Sequence, residues 1–92
     1  MFSVFKSIDD QLADRGYTLV EETYIGAKYE RYDEGFNFIH EVDITRRFNG
    51  EWTIQSYDRT NTDIFMPSVE LTYSEMKLFF KKMKELKGYS LG

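Results

Sequence analysis

"FNFIHEVDITRR" (36–47), "FNG" (48–50) and "EWTIQSYD" (51–58) decide the fold. In the first stretch Phe36, Phe38, His40, Val42 and Ile44 alternate with Asn37, Ile39, Glu41, Asp43 and Thr45, the two-residue period of a strand with one buried face. In the last, Trp52, Ile54 and Ser56 share a face. The loop length sets how the two strands pair. If Asn49-Gly50 alone formed the loop, Ile44 would lie opposite Gln55. With Phe48-Asn49-Gly50 as the loop, Ile44 meets Ile54 and Arg47 meets Glu51. Paired residues share a face, so only the odd-length loop brings both apolar sets together. It also puts Gly50 where a type I turn with a bulge needs a left-handed residue.

The same reasoning extends upstream. "AKYERYD" (27–33) reads as a strand joined to 36–47 through "YDEGFN". Pairing Tyr32 with Asn37 sets Ala27 opposite Val42 and Tyr29 opposite His40 on the core side. It sets Lys28 opposite Glu41 on the other, a cross-strand charge pair worth about 0.2–1 kcal/mol. "YTLVE" (17–21) is a further strand. A leading helix spans Ser3 to Arg15, with Phe5, Ile8 and Leu12 on one side and Gly16 ending it.

A closing helix occupies "LTYSEMKLFFKKMKELKG" (71–88). Thr72-Tyr73-Ser74-Glu75 is a capping box and Gly88 a stop. Tyr73, Met76, Phe79, Phe80, Met83 and Leu86 form a stripe that would roof a sheet, leaving Leu78 outside among the lysines. Lys77, Lys81 and Lys84 read as the solvated back of that helix rather than a nucleic-acid surface. The expectation is one α+β domain over 1–92, in the order α-β-β-β-β-α, with both helices on one face of an antiparallel meander. The connection 59–71 carries Ile64, Phe65 and Met66, either an apolar tip for a partner or a segment packed beneath the second helix.

Composition narrows the function. Hydrophobic residues make up 41% and aromatics 17%, enough to build a core and to exclude a disordered chain. There is no cysteine, which removes disulfides, thiolate metal sites and cysteine nucleophiles. With a single histidine as well, a zinc cluster is excluded. "DRTNTD" (58–63) lacks the glycine and distal glutamate of a calcium loop. No glycine-rich phosphate loop occurs, so neither metal nor cofactor is expected. No signal peptide or apolar span is evident, and a cytoplasmic protein with no membrane association is the expectation.

The net charge of −4 opposes general affinity for phosphate backbones, so direct nucleic-acid binding is disfavoured. Residues 1–45 hold ten acids and four bases, residues 46–92 six and eight. His40 lies on the apolar face, across from Asp58. A base oriented by a carboxylate is one reading and a hydrogen-bonded structural histidine the other. No nucleophile or oxyanion loop accompanies it, so no catalytic residue is assigned and the chain is read as a non-enzyme.

The face away from the helices carries Lys28, Glu30, Tyr32, Ile39, Glu41, Asp43, Thr53, Gln55 and Tyr57, and an antiparallel sheet can leave such a face in water. Its exposed tyrosines suit stacking, but its acidic or balanced charge suits a protein partner, including a second copy. The expected partner surface is Tyr32, Ile39, Glu41, Asp43, Gln55 and Tyr57, with Ile64 and Phe65 of the connection.

"VELTYSEMKLFFKKMKELK", with upstream "GYTLVEETYIGAKYERY" and "WTIQSY", resembles a group of small uncharacterised proteins from phages and prophages of Gram-positive bacteria. The resemblance covers most of the chain through structural motifs. It implies a mobile-element origin and a cytoplasmic location, and it transfers no catalytic residue. The functional expectation is an interaction module, dimeric or bound to a host or phage protein. An acidic decoy of a host nucleic-acid enzyme, of anti-CRISPR or anti-restriction type, is the alternative. A nucleic-acid binder using Arg46, Arg47 and the lysine flank ranks below both.

Overall fold

The computed structural model describes residues 6–35, 37–60 and 67–90. In chain order they form α1 (Ile8–Asp14), β1 (Thr18–Thr23), β2 (Gly26–Asp33), β3 (Phe38–Arg46), β4 (Trp52–Asp58) and α2 (Tyr73–Ser90). The strands make one open antiparallel sheet in the order β1-β2-β3-β4, an α+β meander flanked by helices as the residue parity predicts.

α1 is shorter than expected. Lys6 and Ser7 precede it, and Ser7 Oγ caps it by accepting from the Asp10 amide at 3.1 Å. It ends in a Schellman turn, with the Tyr17 amide donating to the Leu12 carbonyl at 3.0 Å and the Gly16 amide to Ala13 at 2.9 Å. Gly16 takes φ +88°, a left-handed conformation that a side chain would strain.

The β3–β4 register is the one parity requires. Ile44 pairs with Ile54, the Arg47 amide donates to the Glu51 carbonyl at 2.7 Å, and Gly50 has φ +87°. The β2–β3 register differs from expectation by two residues. Ala27 pairs with Ile44, Tyr29 with Val42, Arg31 with His40, and Tyr32 with Ile39. Lys28 consequently faces Asp43 rather than Glu41, and Glu30 faces Glu41. Asp33 and Phe38 are the last pair, and Asn37 supplies the left-handed residue at φ +53°. A slip of two residues preserves every face, so the division into core side and outer side is unchanged.

The core gathers Leu12 of α1, Tyr17, Ala27 and Tyr29, Val42 and Ile44, and Leu78, Phe79 and Leu86 of α2. Trp52, Ile54, Met83, Leu71 and Ile8 pack around it. Both helices therefore cover the same face of the sheet. Phe79 is the hub, edge-on to Tyr17 at 5.2 Å and to Tyr29 at 5.5 Å.

α2 keeps its capping box, since Glu75 Oε1 accepts from the Thr72 amide at 2.8 Å and Thr72 Oγ1 from the Glu75 amide at 3.2 Å. Gly88 does not end it, for the helix runs on to Ser90. The helix is also rotated from the expected stripe. Leu78 is buried, whereas Tyr73, Met76 and Phe80 are 73%, 37% and 49% exposed. Two charged residues take the places they leave, Glu75 at 5% exposure and Lys82 at 2%. Lys82 Nζ reaches Asp9 at 3.2 Å and also pairs with Glu22. Burial works against its charge, but those two carboxylates raise its pKa on balance.

Past β4, the chain doubles back along its free edge. The Asp58 amide donates to the Pro67 carbonyl and the Val69 amide to Ser56, both at 3.0 Å, and Tyr57 bridges to Ser68.

Candidate functional site on the outer sheet face

Strand alternation sends Lys28, Glu30 and Tyr32 of β2, Ile39, Glu41 and Asp43 of β3, and Gln55 and Tyr57 of β4 to the face that no core residue occupies. The register brings the expected partner residues together, with Tyr32 opposite Ile39, Glu41 opposite Tyr57 and Asp43 opposite Gln55. Ile64 and Phe65 lie outside the described residues, as does Met66.

The centre of this face is not wet as expected: Glu41 is only 2% exposed. Arg59, the residue just past β4, closes against it. Its amide donates to the Ile39 carbonyl at 2.8 Å. Its guanidinium then spans the like-charged cross-strand pair, with Nη2 at 2.8 Å from Glu30 Oε1 and Nε at 3.4 Å from Glu41 Oε1. The Tyr57 hydroxyl lies against both remaining carboxylates, hydrogen-bonded to Glu41 and 2.7 Å from Asp43 Oδ2.

A phenol has one proton, so it can donate to only one of two carboxylates. The other contact is satisfied if a carboxylic acid donates instead. Burial, followed by the neighbouring Asp43 carboxylate, pushes Glu41 up to about 7, against the opposing pull of Lys28 and Arg59. Burial raises Asp43 as well, and its Oδ1 is enclosed without a hydrogen-bond partner among the described residues. Both carboxyls are thus held above their ordinary range, with burial as the leading cause.

The sign of the pH dependence follows. A carboxyl raised from its ordinary value favours folding while protonated, and the benefit is lost as pH rises from about 4.5 through about 7. Glu41→Gln, which mimics the protonated form, is expected to match the parent below about pH 4, where the carboxyl is protonated in the folded and unfolded states alike. At pH 8 it should exceed the parent by up to about 3 kcal/mol. Urea titrations across this range check it, and parallel stability curves would refute the raised Glu41 pKa.

Two open depressions flank this centre. One, of about 280 Å³, is lined by Glu21, Thr23, Lys28, Asp43 and Thr45 among others. The other, of about 600 Å³, is a trough between Gly16, Thr18, Glu30, Tyr32, Glu34 and Ile39.

A second polar cluster lies on the opposite, helix-covered side. His40 is fully buried there, and its Nε2 is 2.5 Å from Ser56 Oγ. Its Nδ1 faces Arg31 Nη2 at 3.4 Å and the Tyr17 hydroxyl at 3.5 Å. Arginine only donates, so the Arg31 contact makes Nδ1 the acceptor and puts the ring proton on Nε2, while the Tyr17 hydroxyl gives its proton to Glu75 Oε2 at 2.5 Å and not to the ring. That tautomer donates to Ser56 and does not serve as its base. Burial, then the Arg31 charge, lowers the His40 pKa, which keeps the ring neutral. His40 is thus buried and hydrogen-bonded on both ring nitrogens. Asp58 lies opposite it in the register, as expected, and Arg31 replaces the expected Tyr29 on the other side.

Among the described residues, no group of three or more metal-ligating side chains is arranged to hold an ion. No helix among them is long and apolar enough to cross a membrane. Comparison with protein-family models, with curated proteins and with solved structures returned no match. Sequence reasoning missed Arg59 and the Arg31–Glu75 pair. Arg59 continues the odd-numbered alternation of Tyr57, and Arg31 that of Tyr29, so parity was the available signal for both.

Proposed function

We propose that this chain is a non-enzymatic protein-interaction module that engages its partner, a second copy or another protein, through the helix-free face of the sheet. One observation carries the reading: both helices pack on the same side, so Tyr32, Ile39, Glu41, Asp43, Gln55 and Tyr57 share the other. Around the Arg59–Glu41 centre, Tyr32 and Gln55 offer exposed side chains of the kind a protein interface uses. Its resemblance to small phage and prophage proteins supports a role in the cytoplasm of a Gram-positive host, which the genes beside it would test.

The acidic-decoy reading is weaker on structural grounds. Among the acids that motivate it, Asp9 and Glu22 pair with Lys82, Asp33 with Arg31, Asp14 with Lys6, and Glu30 and Glu41 with Arg59. These six of the ten acids in residues 1–45 share four cations and are divided between the two sides of the sheet, which weakens the case for one anionic surface. A nucleic-acid role retains only the exposed Arg46 and Arg47 and the lysine flank of α2. A gel shift at physiological salt would revive it.

The test pairs sedimentation with capture from host lysate. Tyr32→Ala combined with Gln55→Lys is expected to abolish dimerisation or retention of the partner while leaving the melting temperature unchanged. A strictly monomeric protein that retains nothing, or retention unaffected by these changes, would sink the reading.

A further inference from the structure

α2 buries Leu78, Phe79 and Leu86 but not all of its apolar residues. It turns Glu75 and Lys82 inward and leaves Tyr73, Met76 and Phe80 in solvent. The ion pairs of Glu75 and Lys82 account for the residues turned inward, and the apolar group left outside is of the kind that marks an interaction surface.

The outward residues follow a heptad. Tyr73, Met76, Phe80 and Met83 occupy its a and d positions, with Met83 half-buried at the margin of the core. Their seam is about 15 Å long at the rise of an α-helix. The accessible flank is basic: Lys77 and Lys84 fall at successive e positions, both exposed, and Lys77 Nζ rests 5.4 Å from the Tyr73 ring centre. The opposite flank, Phe79 and Leu86, is already consumed by the core. We propose that this face of α2 is a docking surface for an acidic amphipathic helix of a partner protein. Apolar residues of that helix fill the seam, and its carboxylates meet Lys77 and Lys84.

A second copy is the wrong complement. An antiparallel α2–α2 pair sets Lys77 and Lys84 against each other, and a parallel pair would need the Phe79 and Leu86 flank that the core occupies. This surface is independent of the outer sheet face and lies on the far side of the molecule from it.

Fluorescence anisotropy with labelled model peptides tests it, using leucine heptads flanked by glutamate and a twin flanked by lysine. The glutamate peptide is expected to bind, more weakly as salt rises, and the lysine twin not to bind. Met76→Ala and Phe80→Ala should each weaken binding roughly tenfold, with circular dichroism confirming the fold. Lys77→Glu with Lys84→Glu should reverse the preference, whereas Tyr32→Ala should change nothing. Failure of the glutamate peptide to bind, or equal binding of both peptides, would overturn the proposal. So would binding of phosphatidylglycerol vesicles, but not the glutamate peptide, through the same residues, which would make the face a membrane contact. Dimerisation lost in Phe80→Ala would reassign it to self-association.

Discussion

Glu75→Ala is expected to lower folding stability by about 3–5 kcal/mol, the scale for removing one member of a buried charge network. Its carboxylate ties the start of α2 to β2 and to the turn between α1 and β1. Oε2 accepts from the Tyr17 hydroxyl at 2.5 Å and from Arg31 Nη1 at 2.8 Å, while Oε1 accepts from the Thr72 amide at 2.8 Å. Truncation strands all of these donors at once and also removes the helix cap. Burial opposes the charge, but the hydrogen bonds from Tyr17, Thr72 and Arg31 outweigh it and hold Glu75 at about 2. A depressed carboxylate stabilises the fold above its unfolded pKa, near 4.5. That contribution, about 3 kcal/mol, is lost as pH falls towards 2. Glu75→Gln should therefore flatten stability between pH 5 and 2 relative to the parent. Equilibrium denaturation measures both effects, and an alanine variant within about 1 kcal/mol of the parent would show that the network carries no net stability.

Phe79→Ala and Phe80→Ala should behave as opposites although they are neighbours. Phe79 is fully buried between Tyr17 and Tyr29, so its loss opens a cavity and costs about 3–5 kcal/mol. In a domain of this size that lowers the melting temperature by roughly 15–30 °C. Phe80 is half exposed, and its removal should cost under about 1 kcal/mol. Calorimetry on the two variants reads out the rotation of α2 directly. Equal losses would restore the stripe in which both phenylalanines face the core.

That rotation marks where the sequence stopped being informative. Polarity scoring places every lysine outside, but Lys82 carries a long apolar stem and finds Asp9 and Glu22 waiting on other elements. Those partners are remote in sequence, so no local pattern reveals them. The capping box was legible because all its atoms lie within one turn, but the second role of Glu75, as acceptor for Arg31 and Tyr17, was not. Likewise the β3–β4 register was readable because a one-residue error would have flipped Ile54 away from Ile44. The β2–β3 register was not, since a two-residue slip keeps Tyr29 inside and Tyr32 outside and merely exchanges which charges meet. Within the sheet, faces were legible throughout, and exact neighbours only between β3 and β4. For the outer surface this meant that its membership could be read, while the burial of Glu41 beneath Arg59 could not.

The backbone contacts of Pro67 and Val69 along β4 bear on how copies of this chain can associate. They occupy hydrogen-bonding groups that a neighbouring strand would otherwise recruit. The opposite margin, β1, is exposed along its length, interrupted by a bulge near Val20 and bearing Glu21 and Glu22. Ribbon-to-ribbon stacking needs two receptive margins per molecule, and the Pro67 and Val69 contacts block the Ser56–Asp58 end of β4. Pairing through β1 would close two copies into a two-fold pair, and continued growth would have to use the shortened margin left along the start of β4.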